Sequence, residues 1–210
     1  MEGTSNSQRR AYWLRTLREW HWISSALCLV GMFLFAVTGF TLNHAGQIES
    51  HPRVTSQQAR LPDALRQALG QQAAKAASHS SAPPELQRWA RTQWAIDLSG
   101  REAEWTPDEI YVALPRPGGD AWLRVSLTDG AAEYELTERG WISYLNDLHK
   151  GRNTGSAWSW FIDIFAAACL LFTVTGLLIL KMHASSRPWT WPMTGLGLLI
   201  PLLLALLLIH

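Results

Sequence analysis

Three stretches without a single charged residue decide what this chain can fold into. They are residues 23–42 (ISSALCLVGMFLFAVTGFTL), 164–180 (IFAAACLLFTVTGLLIL) and 192–209 (PMTGLGLLIPLLLALLLI). Each approaches the ~20 apolar residues that carry a helix across a bilayer. A soluble domain made from 210 residues has too small an interior to bury three segments that are apolar on every face. The first stretch follows Arg9, Arg10, Arg15 and Arg18, as a secretion signal would. Its apolar run is longer than a signal's core of roughly 7–15 residues, and no A-x-A-like site follows it, so it reads as an uncleaved anchor.

Basic residues set the expected orientation. Four Arg precede the first span, and the turn between the second and third holds Lys181 and Arg187 with no acid, so both read as cytoplasmic. The stretch from Ala45 to Ala157 carries 12 Lys and Arg against 14 Asp and Glu, which places it on the far side. The chain therefore divides into a cytoplasmic segment (1–18), a first span (19–44), an outer domain (45–140), an outer surface helix and loop (141–157), a second span (158–183), a cytoplasmic turn (184–191) and a third span (192–210). Of the 12 Trp, Trp20, Trp22, Trp158, Trp160, Trp189 and Trp191 fall at the ends of these spans, as in an aromatic belt. Cys28 and Cys169 lie inside spans and read as small packing residues.

The outer domain reads as a small α+β module, so the fold class is a membrane protein, mainly α, with three transmembrane helices and that module inserted between the first and second. Residues 59–78 (ARLPDALRQALGQQAAKAAS) predict one amphipathic helix, with Pro62 in its first turn and Gly70 as a weak point. The segment ELQRWARTQWAIDL is open between a second helix and a helix followed by a strand. From Glu109 to Gly140 apolar and polar residues alternate, with turn signals at Pro117-Gly118-Gly119 and Asp129-Gly130, which predicts three antiparallel strands. WISYLNDLHK (141–150) returns to helical spacing and Gly151 can end it.

Four of the seven His sit at the ends of the first two spans: His21 and His183 at the cytoplasmic ends, His44 and His149 at the outer ends. Two imidazoles at each level are what two bis-imidazole b-type haems need. The competing reading is that a half-polar ring is simply comfortable in the headgroup region, and it weakens when four rings fall in two level pairs. His51, His79 and His210 have no such partner and read as solvent or interface residues. The motif LFAVTG (34–39) recurs as LFTVTG (171–176), and Gly39 and Gly176 would let a flat macrocycle approach the backbone. Close helix packing explains the same Gly and Thr equally well. Gly176 shares a helix face with His183, and Gly39 with His21. His21 and His44, 23 positions apart, lie ~140° apart on a straight helix, so either the first helix ends or bends before His44, or the two haems lie on different sides of it with room for another subunit to contribute. Lys150 and Arg152 beside His149, and Lys181 and Arg187 around His183, are placed to hold haem propionates, and equally they are the ordinary flanking charges of membrane helices. Asp163 reads as an acid that reaches water.

The run YLNDLHKGRNTG followed by WSWFIDIFA, with TGFTLNH closing the first span, resembles the PepSY-associated transmembrane helix family. The likeness covers residues 19–185 and rests on LHKGR (148–152) and the His-bearing span ends. It implies an inner-membrane protein of a Gram-negative bacterium, with the module of residues 45–157 periplasmic and PepSY-like. It also implies haem iron ligated by His21, His44, His149 and His183, and, for some members, reduction of ferric siderophores. This chain is shorter than the larger reductases of that kind. Lipid, haem, a ferric siderophore and a second copy of the chain are the expected partners, and nucleic acid is not one. No HExxH, G-x-S-x-G, Walker or CxxC motif offers another chemistry. The rival expectations are a non-enzymatic PepSY-domain accessory or regulatory protein, and a small transporter subunit.

Overall fold

The structure, a computed structural model, describes residues 2–49, 51–74 and 77–209, with side chains from residue 8 onward. In chain order the elements are α1 (Glu2–Asn43), β1 (Arg53–Arg60), α2 (Asp63–Ala73), β2 (His79–Ser81), α3 (Pro84–Trp94), β3 (Glu102–Trp105), β4 (Glu109–Ala113), β5 (Gly119–Ser126), β6 (Ala131–Glu138), α4 (Trp141–Lys150), α5 (Ser156–His183) and α6 (Thr190–Leu208). They form two compact units. One holds the residues up to Leu34 and those from Trp160 onward; the other is Phe35–Ser159.

The first unit is helical. Three helical spans, Gln8–Asn43, Ser156–Ser186 and Thr190–Leu208, are long and apolar enough to cross a membrane. Their large apolar side chains, such as Leu27 and Phe33 of α1, Leu170 of α5 and Leu198 of α6, point outward. That inverts a soluble protein and suits a solvent of acyl chains, where a helix satisfies its own backbone. Contact between α1 and α5 depends on small residues. Gly31 of α1 lies against the Phe165 ring, where any Cβ would collide with it. About two turns away Ser24 is 1% exposed and donates its hydroxyl to the Trp20 carbonyl at 2.8 Å, so it carries no unsatisfied polar atom into the helix contact.

The second unit is built on a six-stranded antiparallel sheet of order β1-β6-β5-β4-β3-β2. Alternation along β5 and β4 turns Ala121, Leu123, Val125, Ile110 and Val112 to one face, where they pack with Leu69 of α2 and with Leu86 and Ala90 of α3. The strands expected from Glu109 onward are present as β4, β5 and β6. Three further strands were hidden in the sequence. β1 (RVTSQQAR) is almost wholly exposed and shows no apolar alternation, so its place is set by backbone pairing with β6 from Arg53↔Glu138 to Arg60↔Ala131. β2 and β3 have three and four residues, too few for a period to register.

β1 also claims residues 59 and 60, so the helix expected over 59–78 is the shorter α2, with Pro62 as its N-cap and Gly70 inside it. The open segment after Pro84 resolves as α3, closed by Ala95 in the left-handed conformation at φ 57°. Helix α4 runs as its spacing implied, and Gly151 caps it at φ 66°.

The turn joining β4 to β5 lies on α4. Gly118 holds φ +74°, and a Cβ there would fall 2.8 Å from Tyr144 Cα. Gly118→Ala is therefore expected to destabilise the sheet unit by about 1–3 kcal/mol through left-handed strain and overpacking. Denaturant unfolding of the purified chain in detergent, followed by Trp fluorescence, measures it. An unchanged midpoint would show that α4 yields freely.

Candidate functional site

Each of the four span-end imidazoles has its Nδ1 against an oxygen. His21, on α1, stacks on Phe172 of α5 with ring centroids 4.6 Å apart and 14° between planes. Its Nδ1 lies 3.1 Å from Thr175 Oγ1 and 3.2 Å from the Phe172 carbonyl. Thr175, 4% exposed, gives its own hydroxyl proton to the Leu171 carbonyl at 2.7 Å. His149, in the last turn of α4, lies 4.9 Å from the Phe35 ring of α1, with Nδ1 2.7 Å from Thr38 Oγ1. The Thr38 proton goes to the Phe35 carbonyl at 3.2 Å. His44, in the turn after α1, has Nδ1 3.0 Å from the Phe40 carbonyl. His183, closing α5, has Nδ1 2.9 Å from the Ile179 carbonyl.

Backbone carbonyls fix the proton in three of the rings. A carbonyl oxygen only accepts, so Nδ1 is the donor in His21, His44 and His183. His149 meets a hydroxyl instead, Thr38 Oγ1 at 2.7 Å, which can accept from Nδ1 while its own proton lies toward the Phe35 carbonyl. A neutral ring that carries its proton on Nδ1 keeps the lone pair of Nε2, the nitrogen free to bind a metal.

The two glycines of the repeat lie beneath two of these rings. A Cβ at Gly176 would sit 3.1 Å from His21 Cε1, and one at Gly39 would sit 3.5 Å from His149 Cε1. The structure thus sets each glycine against a histidine from another helix, His21 on Gly176 and His149 on Gly39. The polar contacts of the four rings run to Thr hydroxyls and backbone carbonyls rather than from ring to ring.

Helix α4 is positioned by groups that sequence reading passed over. Asn146 and Asp147 are 8% and 7% exposed, although this stretch reads as a surface helix. Thr41 Oγ1 lies 2.8 Å from Asn146 Oδ1, and Gly118 N donates to Asp147 Oδ2 at 2.9 Å. Trp158 Nε1 donates to the Leu148 carbonyl at 2.9 Å. Arg152 pairs with Asp147 across 3.5 Å while its side chain stays 56% exposed. The polar face of α4 is therefore buried against β4–β5 and the end of α1, a consequence of tertiary contacts that helical spacing cannot announce.

Cations occupy the other positions the sequence singled out. Lys150 is exposed. Lys181 joins Arg9 and Arg10 around a cavity of about 540 Å³ floored by Trp13, Leu17, Leu178 and Met182. Arg10 is fixed there by a hydrogen bond to the Met182 carbonyl at 3.0 Å. Asp163 and His79 are exposed, and His51 lies 4.0 Å from Glu49 Oε2 with its side chain 89% exposed. His210 lies outside the described residues.

A family model described as PepSY_TM-like matches residues 12–210. The chain belongs to that family. No curated protein and no solved structure matches it. Family and apolar helices together make this PepSY_TM-like chain a membrane protein.

Gly176→Ala is expected to push the His21 ring by a few tenths of an ångström and lower thermal stability. Gly39→Ala, in ordinary van der Waals contact, should be neutral or slightly stabilising, since Ala gains ~1 kcal/mol of helix propensity over Gly. Melting of both variants in detergent tests the order. Asp147→Asn, which weakens a charge-assisted bond to Gly118 and the Arg152 pair, should cost about 1.5–3 kcal/mol in the same denaturant assay.

Proposed function

We propose that this PepSY_TM-like protein is a di-haem b-type cytochrome of the bacterial inner membrane, passing electrons to a periplasmic acceptor such as a ferric siderophore or another ferric chelate. The observation that carries the reading is the shared setting of the four imidazoles, each with Nδ1 against an oxygen, a backbone carbonyl for His21, His44 and His183 and the Thr38 hydroxyl for His149. A metal-ligating histidine characteristically donates its second ring N–H to a carbonyl or other fixed acceptor, which orients the ring and raises its basicity. Among the described residues no three His, Cys, Asp or Glu converge on a bare metal ion. Two imidazoles at each expected level suit an iron whose other four ligands come from a macrocycle.

In this reading His21 and His183 hold one haem and His44 and His149 the other, with Gly39 and Gly176 leaving room beside the helix backbones. Haem supplies one-electron iron chemistry when bound. The protein would supply oriented imidazole ligands and an apolar surround. Lys150, Arg152 and Lys181 supply cations for carboxylates. The N-terminus is cytoplasmic and residues 45–157 are periplasmic, by the distribution of Lys and Arg.

A reduced-minus-oxidised optical spectrum of protein purified from haem-sufficient cells tests the proposal. Sharp b-type bands with two haems per chain are expected. His21→Ala and His149→Ala should each remove one haem and keep the other, and the double variant should be colourless. A colourless wild-type preparation, or full haem content in both single variants, would end the reading.

A further inference from the structure

We propose that Thr38 and Thr175 are positioning residues of a duplicated imidazole cradle, Phe-x-x-Thr-Gly, in which each threonine locks one histidine, His149 or His21, with Nε2 presented as ligand. The purpose of the lock rests on the haem reading; the lock itself does not. Residues i, i+3 and i+4 of a helix share one face. In both copies of the repeat that face makes the same three contacts with an incoming ring. Phe35 and Phe172 lie against the ring, with centroids 4.9 and 4.6 Å away. The hydroxyl oxygens of Thr38 and Thr175 lie 2.7 and 3.1 Å from Nδ1. Gly39 and Gly176 leave bare backbone beside Cε1.

Helix packing alone does not ask for this. A threonine in a membrane helix satisfies its hydroxyl on a preceding carbonyl and needs nothing further. Here both hydroxyls have such a carbonyl within reach, Leu171 for Thr175 at 2.7 Å and Phe35 for Thr38 at 3.2 Å, and a hydroxyl that uses it leaves its oxygen to accept from an imidazole. The two histidines come from different elements, α4 and α1, so no shared local sequence brings them to the same three residues. An imidazole in an apolar surround whose Nδ1 lacks an acceptor would carry the cost of an unpaired buried donor. It would then be free to move its proton to Nε2, the tautomer that cannot ligate.

The two cradles differ in a way that grades the test. Among the described residues His149 Nδ1 rests on the Thr38 hydroxyl, whereas His21 Nδ1 also has the Phe172 carbonyl. Thr→Val keeps the shape and removes the oxygen, and Thr→Ser keeps the oxygen. Ring 15N shifts of histidine-labelled protein in lipid nanodiscs, assigned with His21→Gln and His149→Gln, read the tautomer with or without haem. Wild type should show Nδ1–H for both rings. Thr38→Val should shift His149 toward a tautomer mixture, Thr175→Val should shift His21 less, and the Ser variants should restore both.

In haem-loaded protein Thr38→Val should raise the midpoint potential of one haem and leave the other, because a ligand that loses its acceptor donates less electron density to ferric iron. Unchanged 15N shifts in Thr38→Val, or a proton on Nε2 of His149 in wild type, would overturn the proposal. A colourless wild type that still shows Nδ1–H on both rings would sustain the lock and remove the haem reading.

Discussion

A polar hydrogen inside an apolar surround must find an acceptor in the protein, because acyl chains offer none. That constraint orders the helical unit and much of the sheet unit. Ser24, Thr38 and Thr175 give their hydroxyl protons to carbonyls of their own helices. The oxygens of Thr38 and Thr175 also lie within hydrogen-bond distance of an imidazole Nδ1, at 2.7 and 3.1 Å. In the proposed arrangement a two-step chain runs from ring to hydroxyl to helix carbonyl and leaves Nε2 without a proton.

The same constraint reaches into the sheet unit through α4. Its last turn carries His149, and the residues just before it are Asn146 and Asp147, both buried. Asp147 takes the Gly118 amide and pairs with Arg152, and Asn146 meets Thr41. The helix that carries His149 is thus held on its polar face by charge-assisted and neutral hydrogen bonds, and Gly118 admits the turn at that face only because it lacks a side chain. Movement of α4 would break several of these at once, so the ring stands on a stiff support.

Much of the architecture was legible in the residues. Charge-free runs announced the spans, and alternation from Glu109 onward announced β4, β5 and β6. Strand β1 was not legible, since RVTSQQAR has no buried face and gains its place from pairing with β6. The histidines stood out by type and position. Thr38, Thr175, Phe35 and Phe172 were visible only as a repeated motif, because nothing in one helix says which ring from another element will rest on it.

What the sequence determined by itself, then, was everything governed by local period and by transfer from water: three spans, an alternating meander and four imidazoles at span ends. Tertiary structure alone decided that His21 meets Phe172, Thr175 and Gly176 while His149 meets Phe35, Thr38 and Gly39. The physical reason is that hydrogen-bond direction is a property of pairs. A threonine's oxygen or an imidazole's proton has no defined role until a specific partner from a distant segment arrives within about 3 Å of it.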